Sequence, residues 1–526
     1  MIPSDEDMQS SHDEPLVAEA IDHSTTETST EMVVDRRLHR MSLPFMMIAR
    51  TRSYLIPAIA GTFFAARGHR QFALVLGITF LVSFLSDIFR YFTLKYRIQA
   101  GELVVSKGLI SRSQRNVPLD RIQNIDLTQN FLHRFFRVAE VRIETASGTE
   151  PEATFRVLSL TEIERLRGQL KNVKNLQGIA DGQPEIAQDR LILAISIPEL
   201  IIRGLIGNRG LIMLAVVLGM AIEFELFEKI PMEWTEEALR RIQETGWIIN
   251  LLVGTLLFAV FFGLVRVLSA IWFVLRFAGY RLTADKQDLK VVAGLITRVS
   301  ATIPRKRIQF ISVQESLLAR MLGRASIRIE TAGGAGTENE DARSTIGRRW
   351  FVPIALKSDI DRLLVELRSG LSCDDAQFDW QPLAGGTRNR LFRRAIFLSI
   401  LIAVVLGFTL RVWAIPIGLI VFIAMMWHAA RFARSLKYAR FEDGVVYRSG
   451  VLDRKMSFTF FDKIQAIHVS QSPFDRRWKM AKLHVDTAAA GPAEHTINVP
   501  YLDEDFARRE FREITHKTSN RELQIA

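Results

Sequence analysis

A short phrase that occurs three times constrains the fold of this chain more than any other feature of its sequence. The phrase reads VPLDRIQNI at residues 117–125, IPRKRIQFI at 303–311 and TFFDKIQAI at 459–467. In every copy a glycine lies 15 residues before the glutamine, and a threonine lies 22 residues after it. Two spacings that are kept through three copies indicate three repeats of one domain.

The repeats share a frame of positions that we interpret as structural, because apolar alternation and turn chemistry account for them. The frame consists of a turn glycine, an Ile-Gln step and a closing threonine: Gly108, Ile122, Gln123 and Thr145; Gly294, Ile308, Gln309 and Thr331; Gly450, Ile464, Gln465 and Thr487. A tyrosine opens each copy, at Tyr96, Tyr280 and Tyr438. We expect the three isoleucines to face a hydrophobic core.

Each repeat alternates apolar and polar residues around glycine-containing turns, which is typical of half-buried hairpin strands. An amphipathic segment follows the strands, and in the first copy Ser159 and Glu162 have the spacing of a helix capping box. The sequence therefore predicts three α+β domains, each a small β-sandwich or roll closed by a C-terminal helix. The predicted domains are residues 94–175, 278–370 and 436–520, and the predicted closing helices are 159–170, 358–370 and 503–514.

Apolar runs separate the repeats, and the longest of them approach the ~20 residues that a helix needs to cross a bilayer. They come in pairs: 54–66 with 71–92, 210–227 with 247–265, and 395–410 with 412–427. The pairs predict three transmembrane helical hairpins, six spans in all, that alternate with the domains. The hairpins are assigned to residues 40–93, 190–277 and 388–430, and the arginine-containing stretches 42–55 and 196–212 are expected as interfacial helices that lead into them.

The charge beside the spans predicts which side of the membrane holds the domains, because cytoplasmic loops carry an excess of Lys and Arg. Basic runs flank the third hairpin at 388–394 and 431–440, whereas the turn of the second, 223–246, holds seven acidic residues against three basic ones. The RGHR turn at 67–70 opposes this pattern but is outnumbered. We therefore expect a multi-pass protein of the cytoplasmic membrane, with its soluble domains in the cytoplasm.

The first 34 residues differ in composition from the rest of the chain. They contain nine acidic side chains, no Lys or Arg, and many Ser and Thr. Such a segment buries too little apolar surface to offset the entropy of folding, so we predict a disordered acidic tail at 1–34. Without it the formal net charge of +11 becomes +20, and a body this basic suits an anionic membrane surface.

The frame, together with RIETAGG at 328–334, resembles the type 2 bacterial pleckstrin-homology-like (PH-like) domain of membrane proteins of the YdbS/YdbT type. The resemblance covers almost everything from about residue 40 to the C-terminus. It implies a β-sandwich or roll closed by a C-terminal helix and joined to hydrophobic hairpins. The third copy departs from the pattern at Phe460, where the other copies have Pro118 and Pro304.

No group of residues has the spacing of a catalytic, cofactor or metal site, so we predict none of these and expect that the protein is not an enzyme. The lone Cys373 excludes internal disulfides and a metal cage built from cysteines. The ten histidines show no ligand spacing, and the glycines of 331–340 lack the pattern of a phosphate loop.

The leading hypothesis for function is a non-catalytic interaction or assembly platform on the cytoplasmic face, which binds a protein partner or self-associates. A role in membrane stress or envelope maintenance is compatible with the family resemblance. The alternative is a transporter or export component formed by the six helices. The argument against transport is that the best spans lack the Asp, Glu or His residues that mark an ion path. Asp87 is the main exception, and we interpret it as the partner of Arg90 in an ion pair at the membrane boundary.

A further alternative is binding to an anionic lipid surface, since each Lys or Arg close to the surface adds ~1 kcal/mol. The candidate contacts flank the third hairpin: Arg390, Arg393, Arg394, Arg431, Arg434 and Lys437. The setting of membrane topology explains these residues equally well. The first hairpin loops of the three copies lack the basic cluster of lipid-binding relatives, which argues against specific recognition of a head group there. Nucleic acid is not expected as a partner, because the repeats lack interleaved aromatic and basic residues.

Overall fold

The structure is a computed structural model that describes residues 36–525 with gaps. The gaps are 38–39, 46, 48–53, 55–69, 100, 109–111, 146–152, 179–189, 208, 224–230, 245, 286–287, 333–350, 369, 382, 411–413 and 489–495. The predicted acidic tail and nearly all of the first predicted span, 54–66, therefore lie outside the described residues.

The three repeats follow one another with similar orders of helices and strands. The first comprises β1 (Arg36–Arg37), α1 (Arg70–Thr93), β2 (Lys95–Gln99), β3 (Glu102–Lys107), β4 (Ser113–Pro118), β5 (Ile122–Gln129), α2 (Phe131–Phe135), β6 (Val138–Thr145), β7 (Ala153–Ser159) and α3 (Leu160–Gly178). The second comprises β8 (Arg190–Ala194), α4 (Ile197–Ile206), α5 (Gly210–Glu223), α6 (Met232–Glu244), α7 (Trp247–Phe277), β9 (Arg281–Ala284), β10 (Asp288–Ala293), β11 (Arg298–Pro304), β12 (Ile308–Glu315), α8 (Leu317–Met321), β13 (Arg324–Thr331), β14 (Val352–Leu356) and α9 (Lys357–Leu367). The third comprises α10 (Thr387–Leu410), α11 (Ala414–Ser435), β15 (Lys437–Phe441), β16 (Gly444–Ser449), β17 (Arg454–Phe460), β18 (Ile464–Ser470), α12 (Pro473–Arg477), β19 (Met480–Thr487), β20 (Ile497–Asp503) and α13 (Glu504–Ile525).

A closing helix follows the last strand of each repeat, as α3, α9 and α13. At the start of α3 the backbone N–H of Glu162 donates to the Ser159 hydroxyl oxygen at 3.3 Å. This is one of the two hydrogen bonds of the predicted capping box, and it satisfies an N–H group that has no partner within the helix.

The strands form four sheets, and two of these sheets cross a boundary between repeats. The orders are β1-β2-β3-β4, β7-β6-β5-β11-β10-β9-β8, β14-β13-β12-β17-β16-β15 and β18-β19-β20. The second half of each of the first two repeats thus shares a sheet with the first half of the next repeat. The sequence predicts a sandwich or roll within each copy. That prediction did not include sheets shared between copies.

The hydrophobic interior is also continuous across the second boundary. One cluster of buried side chains joins Val291 and Ile327 of the second repeat to Val446 and Phe458 of the third. A continuous core of this kind opposes independent motion of the two domains.

Each repeat begins before its hairpin, with a short segment that pairs with the first strand of the following domain. Arg36 pairs with Tyr96 in the first repeat, and Ala194 pairs with Arg281 in the second. In the third repeat the backbone N–H of Gln381 donates to the carbonyl of Tyr438 at 2.8 Å. The repeating unit is therefore a short extended segment, a helical region and a domain of strands closed by a helix.

Four described helices are long and apolar enough to cross a membrane. They are Leu74–Thr93, Trp247–Phe277, Thr387–Phe408 and Ala414–Ser435, and a pair bent by 79°, Ile197–Ile206 with Gly210–Gly219, is a fifth candidate. The sequence predicts six spans, so the described residues provide fewer. Part of the difference is the segment 55–69, which lies outside the described residues.

The second hairpin differs from its prediction. The predicted span 210–227 is helical over Gly210–Glu223, and 14 residues give about 21 Å, less than the ~30 Å of a hydrocarbon core. The predicted acidic turn at 223–246 contains the helix α6. The prediction of a turn rests on the position of the segment between two apolar runs, and the segment also has the residues of an amphipathic helix.

Helix α4 covers the second domain with one face. Leu200 is buried there, and a Cβ atom on Gly204 would lie 2.2 Å from the Cα of Ala270 in α7. The small residue therefore allows the two helices to pack closely. The opposite face exposes Ile197, Ile201 and Leu205, which is the surface that an interfacial helix needs.

Helix α7 extends beyond the predicted span 247–265. Its apolar side chains are exposed up to Leu264, whereas Val265 and Phe273 are buried. Arg266, which the sequence places at the membrane boundary, donates to the carbonyls of Leu205 and Gly207, each at 2.9 Å. This arginine therefore binds carbonyl groups at the C-terminal end of α4 that have no helical partner.

Candidate interaction site at the boundaries between repeats

The first boundary is a short antiparallel pairing between β5 and β11. Gln129 lies opposite Arg298, and Leu127 lies opposite Ser300. Beyond these pairs the backbone N–H of Thr302 donates to Oδ1 of Asp126 at 3.3 Å. Main-chain pairing of this kind joins the first two domains edge to edge.

The second boundary pairs β12 with β17 over six residue pairs, from Phe310 opposite Thr459 to Glu315 opposite Arg454. Glu315 and Gln129 each lie six residues after the frame glutamine of their repeat, and their partners Arg454 and Arg298 each lie four residues after the frame glycine. Both boundaries therefore have the same register, and the second one is longer.

At each junction an arginine adds a hydrogen bond, and it lies in the short helix that follows β5 or β12, the strands that pair with the next repeat. Arg134 in α2 donates from Nη1 to the carbonyl of Leu295 at 3.0 Å, and Arg320 in α8 donates from Nη2 to the carbonyl of Val451 at 2.7 Å. The two arginines stand at equivalent positions, as do the two acceptors. We call them the boundary arginines. Hydrogen bonds from a charged donor are among the stronger ones in proteins.

The acceptor carbonyls lie in the turn that follows the frame glycine. Gly294 has a φ of +114° and Gly450 a φ of +98°, in a region that side-chain-bearing residues rarely adopt. A Cβ atom would lie 2.0 Å from the carbonyl oxygen of Thr297 in the first case and 1.8 Å from that of Asp453 in the second. Glycine is thus required for the turn that presents the acceptor.

The repeated phrase of the sequence runs from the end of one strand through a short 3-10 turn into the next strand, and β5, β12 and β18 each begin at its frame isoleucine. Of these three strands, β5 and β12 lie at the boundaries between repeats. Ile122 and Ile308 are buried, and Ile464 packs partly buried against the third core. The remaining frame residues are placed as follows: Gly108 has a φ of +101°; Gln309 and Thr487 are buried; Thr331 is half-buried; Gln465 is exposed; and the side chains of Gln123 and Thr145 lie outside the described ones. The sequence indicated a structural strand, and it did not show that the strand joins two repeats.

A second contact between the second and third repeats lies at the C-terminal end of α9. Arg368 donates from Nη1 to Oδ1 of Asp462 at 3.1 Å, and its guanidinium lies 4.0 Å from the ring centroid of Phe460. Burial by itself would raise the pKa of Asp462, but the charges of Arg368 and Lys463 and their hydrogen bonds lower it overall. Asp462 is therefore ionised at neutral pH, and the ion pair ties the two domains together.

The segment between α9 and α10 is held on the third domain through Asp375. Lys437 donates from Nζ to Oδ2 of Asp375 at 3.1 Å, and Arg448 binds the same carboxylate. Burial would raise the pKa of Asp375, whereas the hydrogen bond from Lys437 and the charge of Arg448 lower it overall. The segment is anchored by charge at the point where it leads to the third hairpin.

Two of the opening tyrosines donate buried hydrogen bonds. Tyr280 donates to the carbonyl of Phe351, and Tyr438 donates to Oε2 of Glu510 at 2.9 Å. Burial raises the pKa of both hydroxyls far above the ordinary tyrosine value, and the charge of Glu510 adds to the shift at Tyr438. Both tyrosines are therefore neutral donors at the start of a domain, Tyr280 just before β9 and Tyr438 within β15, and each holds that start to a neighbouring segment.

The basic residues considered for lipid contact have different surroundings. Arg390 is paired with Asp475, and Lys437 with Asp375; Arg393 stacks on Trp478 at 4.6 Å, and Arg431 stacks on Trp427 at 5.5 Å. Arg394 and Arg434 are exposed near the ends of α10 and α11 that face the domains. Arg394 and Arg434 are the two whose charge is most available to a surface, and lipid contact by all six stays a prediction.

Asp87 lies in the last two turns of α1. Its side chain in α1 is 4% exposed, so it does not face outward along the helix. The side chain of Arg90, the expected partner, lies outside the described ones. The ion pair between them stays a prediction.

The described residues contain no cluster of three or more His, Cys, Asp or Glu side chains that could hold a metal ion. A pocket between the first strands and α3 of the first domain, lined by Tyr96, Phe155 and Glu162, has about 10 Å³ of free volume, roughly room for one water. Burial and the nearby charge of Asp361 raise the pKa of the Cys373 thiol to about 12, which makes it a poor nucleophile at neutral pH.

Comparison with known proteins agrees with this architecture. The family described as "Bacterial PH domain" matches residues 53–174, 237–349 and 393–518. The UPF0699 transmembrane protein YdbT of Bacillus subtilis (strain 168) is 21% identical over 449 residues, which are 83% of this chain and 88% of the relative. No solved structure matches the chain. Each family match includes apolar helix as well as the strands that follow it.

Proposed function

The chain belongs to the bacterial PH domain family and is a membrane protein with PH-like domains, and on that premise we propose that it is a non-catalytic assembly platform. In this proposal the three domains lie on the cytoplasmic face of the cytoplasmic membrane. They bind protein, either a partner or further copies, and the helices hold them at the membrane surface.

The observation that carries the proposal is the sharing of sheets between neighbouring repeats. Six residue pairs join β12 to β17, and the boundary arginines and Arg368 add hydrogen bonds across the junctions. Domains that share sheets keep a constant spacing and orientation. A rigid array of this kind suits the assembly of other molecules, because a surface that is already ordered loses little entropy on binding.

The distribution of charge supports the cytoplasmic placement of the domains. Basic residues such as Arg394 and Arg434 lie near the domain ends of α10 and α11, whereas α6 has acidic Glu233 in its first turn and Glu236 and Glu237 after it. An excess of Lys and Arg on the domain side is the pattern of a cytoplasmic face.

A second candidate function is attraction to the anionic surface of the same membrane. The exposed side chains of Arg394 and Arg434 favour it, since they lie next to apolar helices. Transport is supported less well, because Asp87 is the acidic residue of the best spans that would have to carry it. Asp87→Asn tests this function, since a transporter would lose activity at normal abundance, whereas a platform would not.

Topology can be measured with single cysteines in a Cys373→Ser background. We expect that a membrane-impermeant maleimide labels Glu236→Cys in intact cells, and that it labels Ser113→Cys and Ser358→Cys only after permeabilisation. All three positions are exposed in the structure. Labelling of the two domain positions in intact cells would contradict the cytoplasmic placement.

The platform role is measured by crosslinking in native membranes, followed by purification and mass spectrometry. We expect a stoichiometric product that forms with the full chain and is lost when the domains are deleted but the hairpins are kept. Recovery of the uncrosslinked chain with enriched anionic lipid would instead favour the membrane-surface function.

A further inference from the structure

The two outer edges of the array match the strands that meet at its inner boundaries. Among the described residues, β4 pairs with β3 alone and β18 pairs with β19 alone. By position in the repeat, β4 corresponds to β11 and β17, and β18 corresponds to β5 and β12. The two outer edges, β4 and β18, therefore correspond to the two strands that pair with each other at each inner junction.

We propose that β18 of one copy pairs with β4 of a second copy, so that copies join head to tail. This inference rests on the proposed platform function and names its partner as a second copy of this chain. The contact repeats the two inner junctions, in which one domain adds a strand to the sheet of its neighbour.

The register of the proposed junction follows from the inner ones. Because both inner boundaries have the same register, the third should place Gln471 opposite Arg112 and Ser470 opposite Ser113. The pairing would continue to Ala466 opposite Val117. In none of these pairs does a Lys or Arg of one strand lie opposite a Lys or Arg of the other, or an acidic residue opposite an acidic one.

The burial of β18 differs from that of β12 as expected for an edge strand that lacks its partner. Residues 308–313 of β12 are all buried, whereas 464–469 of β18 are half-buried or exposed. In the adjoining short helix Phe474 is 71% exposed, and its counterparts Leu132 and Leu318 are each 41% exposed. At β18 the strand edge and the Phe474 side chain are therefore exposed, whereas the equivalent strand β12 is covered by its partner. Exposed strand edges readily pair with other chains.

The boundary arginine is also present at the open end. Arg476 in α12 is the counterpart of Arg134 and Arg320. Its side chain is exposed, and among the described residues its guanidinium has no hydrogen-bond partner. The counterpart of the acceptors is position 109, which lies outside the described residues.

Each repeat of the chain includes apolar helix, so a second copy that joins at β18 would add its own apolar helices, as each further repeat does within one chain. A head-to-tail contact uses two different surfaces, so it forms a ring if the rotation closes and an open array if it does not.

The junction can be tested in membranes with two differently tagged full-length chains, both carrying Cys373→Ser. One chain carries Ser470→Cys and the other Ser113→Cys, and the two are oxidised together. We expect a disulfide-linked dimer that contains both tags and forms only when both cysteines are present. Gln314→Cys with Lys455→Cys is the matched positive control, because this pair lies opposite at the inner boundary and should link within one chain.

Two further variants make the outcome specific. Asn116→Cys, three positions out of register, should give little dimer with Ser470→Cys. Arg476→Ala in the Ser470→Cys chain should lower the dimer yield about tenfold, the effect of one charged hydrogen bond.

The proposal is wrong if the inner control links but the mixed dimer does not form. It is also wrong if Ser470→Cys links to a different protein, although that result would leave the platform function standing. Labelling of the domains in intact cells would overturn the cytoplasmic placement of the platform instead, and the maleimide experiment measures this separately.

Discussion

Arg320 of the second repeat donates a hydrogen bond of 2.7 Å to the carbonyl of Val451 in the third, a residue 131 positions away. Arg134 and Leu295 make the equivalent contact one repeat earlier. Because this contact recurs at the same position of the repeat, the junction is a regular part of the repeat structure. Several consequences for stability can be measured.

Arg320→Ala removes the charged donor at the second junction and leaves the Val451 carbonyl without it. We expect the free energy of unfolding to fall by ~1–2 kcal/mol, as for a hydrogen bond to a charged group. Thermal unfolding of the detergent-solubilised full chain measures the change. Arg477→Ala is the matched control, because its exposed side chain lies in the equivalent short helix α12 and is not a boundary arginine, so the stability should be unchanged. Equal losses from the two variants would contradict the role of the boundary arginine.

Gly450→Ala should damage the turn that presents the acceptor. The residue has a φ of +98°, and a Cβ atom would lie 1.8 Å from the carbonyl oxygen of Asp453. We expect a loss of at least ~2 kcal/mol, since both the backbone conformation and the contact must change. Limited proteolysis near residues 450–453 reports local opening.

Gly168→Ala provides the control, because Gly168 lies within α3 and a Cβ atom there meets no atom within 4 Å. This substitution should be neutral or stabilising by up to ~1 kcal/mol, as alanine favours a helix. A turn that tolerates Gly450→Ala as well as the helix tolerates Gly168→Ala would refute the steric argument.

Arg368→Ala should loosen the second junction in a way that depends on pH. The pKa of Asp462 is lowered in the folded state, so its ion pair contributes stability above its ordinary pKa of 3.8, and this contribution is lost as the pH falls. We expect a loss of about 1 kcal/mol at pH 7 for a partly exposed pair, and a smaller difference from wild type at about pH 3, below the ordinary pKa. The melting temperature at the two pH values measures it. Arg362→Ala, at an exposed position of the same helix, should show no such dependence.

The strands of each repeat were predictable from the sequence, because pairs such as β12 with β13 join segments that are close in the chain. Apolar alternation shows which residues form a strand and which face is buried, but it does not show what lies along the open edge. The pairing of β12 with β17 joins residues nearly 150 positions apart and uses backbone groups, which every residue has. The two boundary arginines recur at equal spacing, and this was the signal that could have indicated the junction.

The helices were predicted less well, because hydrophobicity indicates that a helix can enter a membrane and does not show what else it contacts. Arg266 looked like an arginine at a membrane boundary, yet it donates to the carbonyls of Leu205 and Gly207. The helix within residues 196–212 has apolar side chains on two opposite faces, so the sequence does not show which face is buried. In the structure the face with Leu200 packs into a domain core. Such contacts depend on the tertiary structure.

Tyr438→Phe should destabilise the third domain more at neutral than at acidic pH. The hydroxyl donates to Glu510, whose carboxyl is 3% exposed. Burial raises the pKa of Glu510, while the hydrogen bond from Tyr438 and the charge of Arg440 oppose the rise. A group with a raised pKa in the folded state contributes most stability below its ordinary pKa and loses that contribution as the pH rises.

Loss of the hydroxyl removes one of the interactions that hold this pKa down, so the variant should lose more stability than wild type as the pH rises from about 4 to 8. We expect a penalty of ~1–3 kcal/mol at pH 7 and a smaller one near pH 4, measured as the difference in unfolding free energy from wild type at each pH. Tyr280→Phe is the matched comparison, since Tyr280 donates to the carbonyl of Phe351, which does not titrate. Its penalty should be the same at both values of pH, and an equally constant penalty for Tyr438→Phe would show that Glu510 is not the titrating partner.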